Sequence, residues 1–214
     1  MKAKLEVETK LELDAKGFER ILSSGELKNC IEQVNHYFDD HWKLADHAST
    51  LRVRLTSIKK PQLTFKTPIR TYEGKRTSKE IEFELDENTV QCILDGEREL
   101  QDILPDTVHE NLAALGVQHL QYIGSVKNQR YVIQTKHGVI EADHLKLPGD
   151  QDYYEAEIES DEASAHKKLV SFIVKLVPTA HPSDISKFER FRKAVAQLID
   201  YASKSEDAYA EQHS

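Results

Sequence analysis

The chain has 214 residues, 39% hydrophobic and 31% charged, with a formal net charge of −8. That is enough chain for one large domain with a buried core, and the acidic balance argues against a general nucleic-acid binder. No apolar run approaches the ~20 residues that cross a bilayer, so no membrane span is expected.

The N-terminus, MKAKLEVETK, carries no apolar stretch of signal-peptide type. Cys30 and Cys92 lie far apart among apolar neighbours and are expected as buried free thiols, which together points to a cytoplasmic chain. Residues 4–13 alternate: Lys4, Glu6, Glu8, Lys10 and Glu12 against Leu5, Val7, Leu11 and Leu13. A strand puts the two sets on opposite faces. Asp14 then reads as the N-cap of a short helix over about 15–23. A second strand, 29–39, sets Gln33, Asn35, Tyr37 and Asp39 against Val34 and Phe38. A third, 50–57, opposes Arg52 and Arg54 to Leu51, Val53 and Leu55. A fourth, 62–67, opposes Thr64 and Lys66 to Leu63 and Phe65. A fifth, 76–85, opposes Ser78, Glu80, Glu82 and Glu84 to Ile81, Phe83 and Leu85.

Helical spacing takes over across 87–115, with Pro105 and Asp106 starting a second helix and Gly116 stopping it. Strands return at 121–135, 138–146 and 151–159, joined by Lys136-His137-Gly138 and Pro148-Gly149-Asp150 turns. Two helices follow, at about 161–177 and 184–200. Residues 1–202 read as a single domain, and 203–214 as a flexible tail.

The polar faces are ordered by sign, with Glu6 and Glu8, then Arg52 and Arg54, then Glu155, Glu157 and Glu159. Two arginines at alternate positions offer planar forks to one space, which suits a multidentate oxyanion. Helices can cover the apolar faces from outside. The fold expected is therefore α+β: a closed eight-stranded antiparallel β-barrel with helices packed outside and a charged bore. A charged bore is costly unless ions and ligands balance it. Carboxylates two apart on a strand lie ~7 Å apart and can both approach a hard cation. A metal beside a cluster of cations is what phosphoryl transfer from a polyphosphate requires.

The motifs resemble those of the CYTH superfamily of triphosphate tunnel metalloenzymes. Glu6-Val-Glu8-Thr-Lys10 matches its N-terminal signature. Tyr37-Phe38-Asp39, Leu51-Arg52-Val53-Arg54, Leu63-Thr64-Phe65-Lys66, Gly124 with Arg130, Asp143, Glu155-Ala-Glu157 and Ser186-Lys187 with Arg190 follow in family order. The resemblance covers about residues 4–200. Asn35-His36-Tyr37-Phe38-Asp39 and the Gly124 to Arg130 spacing look most like the bacillus-type bacterial branch.

The resemblance implies Mg²⁺ or Mn²⁺ held by Glu6, Glu8 and Glu157, with a second ion near Asp143 and Glu155. It implies that Lys10, Arg52, Arg54, Lys66, Arg130, Lys187 and Arg190 grip a triphosphate-bearing small molecule, and that Glu6, Glu8 and Lys10 serve the chemistry. The activity implied is hydrolysis of inorganic tripolyphosphate or an organic triphosphate such as thiamine triphosphate, by a monomer or homodimer. An adenylate cyclase and a non-catalytic polyphosphate-binding module are the alternatives. The cyclase branch carries a His-Phe pair before the first glutamate; residues 1–5 here contain neither. Where many members have a second basic residue before the sixth-strand arginine, this chain has Asn128. Glu80, Glu82, Glu141 and Glu159 fit a solvated strand face equally well, and Tyr37 and Asp39 read as positioning residues. His36, His41 and His47 do not match a zinc spacing, and Trp42 reads as a loop aromatic packed on the barrel.

Overall fold

A computed structural model describes the backbone of residues 2–72, 75–159 and 163–212, and the side chains of residues 8–69, 77–159 and 165–201. The strands are β1 (Lys2–Leu13), β2 (Glu26–Asp39), β3 (Thr50–Thr56), β4 (Gln62–Tyr72), β5 (Lys75–Glu84), β6 (Gln121–Thr135), β7 (Gly138–Leu147), β8 (Gln151–Glu159) and β9 (His181–Pro182). All pair antiparallel, in the order β5-β4-β3-β2-β6-β7-β8-β1-β9. β1 also pairs with β5, from Lys2 opposite Glu82 to Thr9 opposite Lys75. Among the described residues the sheet thus has nine strands where eight were expected. The ninth is two residues long, too short to show alternation, and lies against Leu11 and Glu12.

The helices are α1 (Ala15–Leu22), α2 (Lys43–Asp46), α3 (Glu87–Leu94), α4 (Asp106–Ala114), α5 (Ala163–Leu176) and α6 (Lys187–Gln212). Asp14 caps α1 as its position predicts, accepting from the Gly17 amide at 2.6 Å. The single-turn α2 has no periodic pattern to announce it. Asp39 holds it, its carboxylate accepting from the Leu44 and Ala45 amides. α6 is continuous through Ser203, where a tail was expected. The stretch after Ser203 carries Glu and Ala twice each and lacks Gly and Pro, so no strong helix breaker interrupts it.

Three apolar clusters organise the packing. One joins Leu51, Val53, Leu63, Phe65 and Ile81 of β3–β5 to Val90 and Ile93 of α3 and Val108 and Leu112 of α4. A second joins Leu11, Ile133, Ile140, Ala156 and Ile158 to Phe18 and Ile21 of α1 and Leu169 and Ile173 of α5. Both use the apolar strand positions predicted by alternation. The third uses the opposite face. Tyr37, Val126, Leu145 and Tyr153 share parity with the charged residues of their strands and pack on Phe188 and Phe191 of α6. Phe188 and Phe191 are 3% and 2% exposed, each contributing roughly 2–3 kcal/mol of burial. α6 therefore covers one end of the charged face, and Gly124 makes room for it. Its φ of +129° favours glycine, and a Cβ there would meet the Phe191 ring at 2.8 Å.

Cys30 and Cys92 are free, but Cys30 is exposed and Cys92 only half-buried, against the expectation of buried thiols. The first residues of β2, Glu26–Cys30, are all exposed. No described helix is long and apolar enough to cross a membrane.

Candidate active site

Strand register carries the charged face sideways from residue to residue. On β1, Lys10 lies opposite Glu157 of β8, and Glu12 opposite Glu155. Glu157 lies opposite Glu141 of β7, and Glu155 opposite Asp143. Asp143 faces Arg130 of β6. On the far side, Asn35 and Tyr37 of β2 lie opposite Arg54 and Arg52 of β3. Lys66 of β4 lies opposite Glu80 of β5. Paired residues across a sheet point to the same side, so these side chains share one interior.

One wall is acidic. Asp143 and Glu155 are fully buried and Glu157 is 4% exposed. Arg130 forks onto Asp143, with Nε donating to Oδ1 at 2.8 Å and Nη2 to Oδ2 at 2.6 Å, and also contacts Glu141 and Glu157. Lys10 donates to Glu157 and lies 3.5 Å from Glu8. The Lys187 ammonium sits among three carboxylates. It is 2.7 Å from Asp143 Oδ2, 2.7 Å from Glu157 Oε1, and in contact with Glu155 Oε1.

Burial alone would depress the Lys10 and Lys187 ammoniums, but their carboxylate neighbours outweigh it and hold both above the ordinary lysine value. Glu157 shows the converse. Burial would raise it, yet Lys10, Lys187 and Arg130 hold it well below the usual carboxylate range. Burial pushes Glu155 up, and Lys187 and Lys10 only partly offset that.

The other wall is basic and under-compensated. Arg54 Nε donates to Asn35 Oδ1 at 2.8 Å. Its pKa is pushed down to about 10 by burial, Arg52 and Arg130. The buried Nε of Arg52, the Tyr37 hydroxyl and Asn35 Nδ2 have no hydrogen-bond partner among the described residues. Lys66 bridges toward the acidic side, 3.2 Å from Glu8 and 3.3 Å from Glu80. Between the walls lies a cavity of about 270 Å³, bordered by Glu8, Lys10, Arg52, Arg54, Lys66, Arg130, Glu157 and Lys187.

Those eight are candidates read from the sequence, brought to one space. Asp143 and Glu155 lie behind the cavity and touch it through Lys187. Oxygens of Asp143, Glu155 and Glu157 all lie within 4.8 Å of one another. Three hard oxygen donors at that spacing fit a divalent cation. The orphaned, buried Glu155 Oε2 and the lysine ammonium already among them point the same way. Glu8 stands apart from this triad, on the Lys66 side. Glu6 occupies β1 opposite Ser78, and its side chain lies outside the described residues.

Arg190 is not brought to the cavity. It donates to Glu12 Oε2 and Ser183 Oγ, both at 2.7 Å, and stacks on the Tyr153 ring at 3.6 Å. Three residues beyond Lys187, about 4.5 Å along the axis, it lies past the cavity at the aromatic end. Glu80, Glu82, Glu141 and Glu159 also border the cavity; their parity with Ser78, Asp143 and Glu157 was the available signal. Trp42 packs near Phe188 and Phe191, as a loop aromatic should.

A family model for the CYTH domain matches residues 4–192. The chain belongs to the CYTH domain family. Among curated relatives, this CYTH chain is 28% identical over 181 residues to "Putative triphosphatase YjbK" of Bacillus subtilis (strain 168), covering 80% of this chain and 85% of that one. Among solved structures it is similar to HpAC1 from Hippeastrum, described as a putative adenylyl cyclase with a dominant triphosphatase activity. The TM-score is 0.74 with 25% identity, over 88% of this chain and 95% of that one. The fold also matches bh2851 of Bacillus halodurans, described as a putative adenylate cyclase, with a TM-score of 0.71 at 23% identity over 89% and 99% of the two chains.

Proposed function

We propose that this CYTH chain is a metal-dependent triphosphatase that works inside a closed eight-stranded barrel. The pairing of β1 with both β8 and β5 supports closure, since it links the two ends of the strand series β5 to β1. The observation that carries the function is one small cavity with a carboxylate wall facing an arginine wall in which the buried Arg52 Nε has no partner among the described residues. A buried, unpaired guanidinium donor is costly until an anion meets it.

The roles follow from the walls. Arg52, Arg54 and Lys66 hold the phosphate oxygens, with Lys10 and Arg130 supplying charge at the junction with the acidic wall. Asp143, Glu155 and Glu157 would hold Mg²⁺ or Mn²⁺, while Glu8 lines the cavity on the Lys66 side. The cation, when present, neutralises charge on the reacting phosphate and orients it. Arg190 acts at one remove, fixing α6 so that Lys187 stays at the cavity. Preorganised donors around the cavity lower the cost of charge developing in the transition state.

The test is a substrate panel of tripolyphosphate, thiamine triphosphate, ATP and GTP with Mg²⁺, Mn²⁺ and Ca²⁺, with products separated. Orthophosphate with pyrophosphate from tripolyphosphate is expected, and ATP should be a poorer substrate. Because similar structures are described as adenylyl cyclases, cyclic AMP as the main product from ATP would replace the hydrolase with a cyclase. Tight tripolyphosphate binding without turnover would leave a binding module.

A further inference from the structure

We propose that Lys187 is an exchangeable counter-ion: it holds the Asp143–Glu155–Glu157 triad in the metal-free protein, yields it to a divalent cation, and turns its ammonium to the anion in the cavity. This rests on the metal-and-triphosphate reading of the site.

Lys187 stands where such a cation would stand. Its Nζ lies 2.7 Å from Asp143 Oδ2 and Glu157 Oε1 and touches Glu155 Oε1, the same three residues whose oxygens cluster within 4.8 Å. A hard cation takes carboxylate oxygens at roughly 2.0–2.6 Å. The space between three oxygens so close cannot hold both an ammonium and a metal. The other members of the triad keep partners if Lys187 leaves, since Glu157 retains Lys10 and Arg130, and Asp143 retains Arg130. Among the described residues Glu155 pairs with Lys187 alone, and its Oε2 has no hydrogen-bond partner. Departure of Lys187 therefore exposes one buried carboxylate that a new cation must satisfy.

The backbone need not move for this exchange. Lys187 is the first residue of α6, whose opening turn is tied by the Ser186 hydroxyl accepting from the Glu189 amide at 3.1 Å. Phe188, Phe191 and the Arg190 contacts seat the helix. Only the four-carbon stem has to rotate, and Lys187 already borders the cavity with Arg52 and Arg54. A released ammonium there adds to the basic wall. Metal and anion should therefore strengthen each other's binding through Lys187, reciprocally.

The experiment is calorimetric titration of wild type and Lys187→Met with Mn²⁺ and with a nitrogen-bridged, non-hydrolysed tripolyphosphate analogue, each alone and with the other present. In Lys187→Met, Mn²⁺ alone should bind at least ~10-fold more tightly, because its competitor is gone. The analogue should bind as in wild type without metal, and at least ~10-fold more weakly once Mn²⁺ is present. A variant that loses analogue affinity equally with and without metal makes Lys187 a static phosphate ligand and overturns the exchange. Unchanged or weakened Mn²⁺ binding also overturns it. Wild type that binds neither Mn²⁺ nor analogue overturns the triphosphatase reading as well.

If the variant does not fold, acetic anhydride labelling of wild type with mass-spectrometric readout decides. Lys187 should label slowly without metal, faster with Mn²⁺, and slowly again with Mn²⁺ plus analogue. Labelling that Mn²⁺ does not raise rejects the exchange.

Discussion

Replacing Arg54 by Met removes a charge while keeping most of the stem, and it separates grip from structure. Burial, with Arg52 and Arg130 nearby, lowers the Arg54 pKa from the ordinary guanidinium value to about 10. For a cation this sign is unfavourable to folding: the folded state holds the proton less tightly than the unfolded chain. The penalty is present below about pH 10 and is relieved as pH rises from there toward the unfolded guanidinium value. At neutral pH it amounts to about 3 kcal/mol, reduced to roughly 1–2 kcal/mol because Arg54 keeps part of its surface in solvent. Loss of the Asn35 hydrogen bond costs about 1 kcal/mol. Arg54→Met should therefore melt at the wild-type temperature or slightly above it without ligand. With tripolyphosphate at a hundred times its Kd, wild type gains about 2.7 kcal/mol, or roughly 5–10 °C for a chain of this size. Loss of charge-assisted hydrogen bonds worth ~1.5–3 kcal/mol weakens Kd by ~10- to 100-fold. At the upper limit the same ligand concentration leaves ~0.4 kcal/mol, a shift of ~1–2 °C. The assay is a melting curve with and without tripolyphosphate, metal omitted to prevent turnover. Arg192→Met is the control, since Arg192 pairs with Asp46 at 2.8 Å away from the cavity; it should keep the full shift. An undiminished shift in Arg54→Met would refute the reasoning.

Further outcomes are expected. Glu157→Gln breaks buried contacts to Lys10, Lys187 and Arg130; it should cost ~3–5 kcal/mol of stability by melting curve and lower turnover at least ~100-fold. Because Glu157 is held below its ordinary carboxylate value, its stabilisation is present above the unfolded pKa and lost as pH falls through the folded one. The metal-free Gln variant should accordingly show a shallower acid limb in a pH–melting series than wild type. Glu8→Gln should reduce turnover at least ~100-fold and, by weakening a buried carboxylate's contacts to Lys66 and Lys10, cost ~1–3 kcal/mol of stability; unchanged rates at saturating Mg²⁺ would remove it from the reaction site. Gly124→Ala forces a Cβ toward the Phe191 ring and should cost ~1–3 kcal/mol; a wild-type melting temperature would show that α6 is not seated as described.

Alternation made the charged face legible. Strands over 121–135 and 151–159 fall where the pattern puts them, and the parity of Lys10, Arg52, Lys66 and Glu157 predicts that they share a side. Parity does not say how far along the sheet a side chain acts. Arg190 shares a helix face with Lys187, yet packing of Phe188 and Phe191 decides which of them meets the cavity. Nor does it grade neighbours on one strand: Glu141 and Glu80 look like solvated residues until register sets them beside Arg130 and Lys66. Lys187 was legible as a cation near phosphate, but its seat among three carboxylates depends on how α6 docks, which no local pattern encodes. α2 and β9 escaped because four- and two-residue elements show no period.

The most direct test of the account is a crystal structure of the chain with Mn²⁺ and the nitrogen-bridged tripolyphosphate analogue, read with anomalous scattering from manganese. The account predicts anomalous density bounded by Asp143, Glu155 and Glu157, and phosphate oxygens on Arg52, Arg54 and Lys66 within the same cavity. Manganese and analogue bound outside that cavity, with Arg52 and Arg54 unchanged, would contradict it.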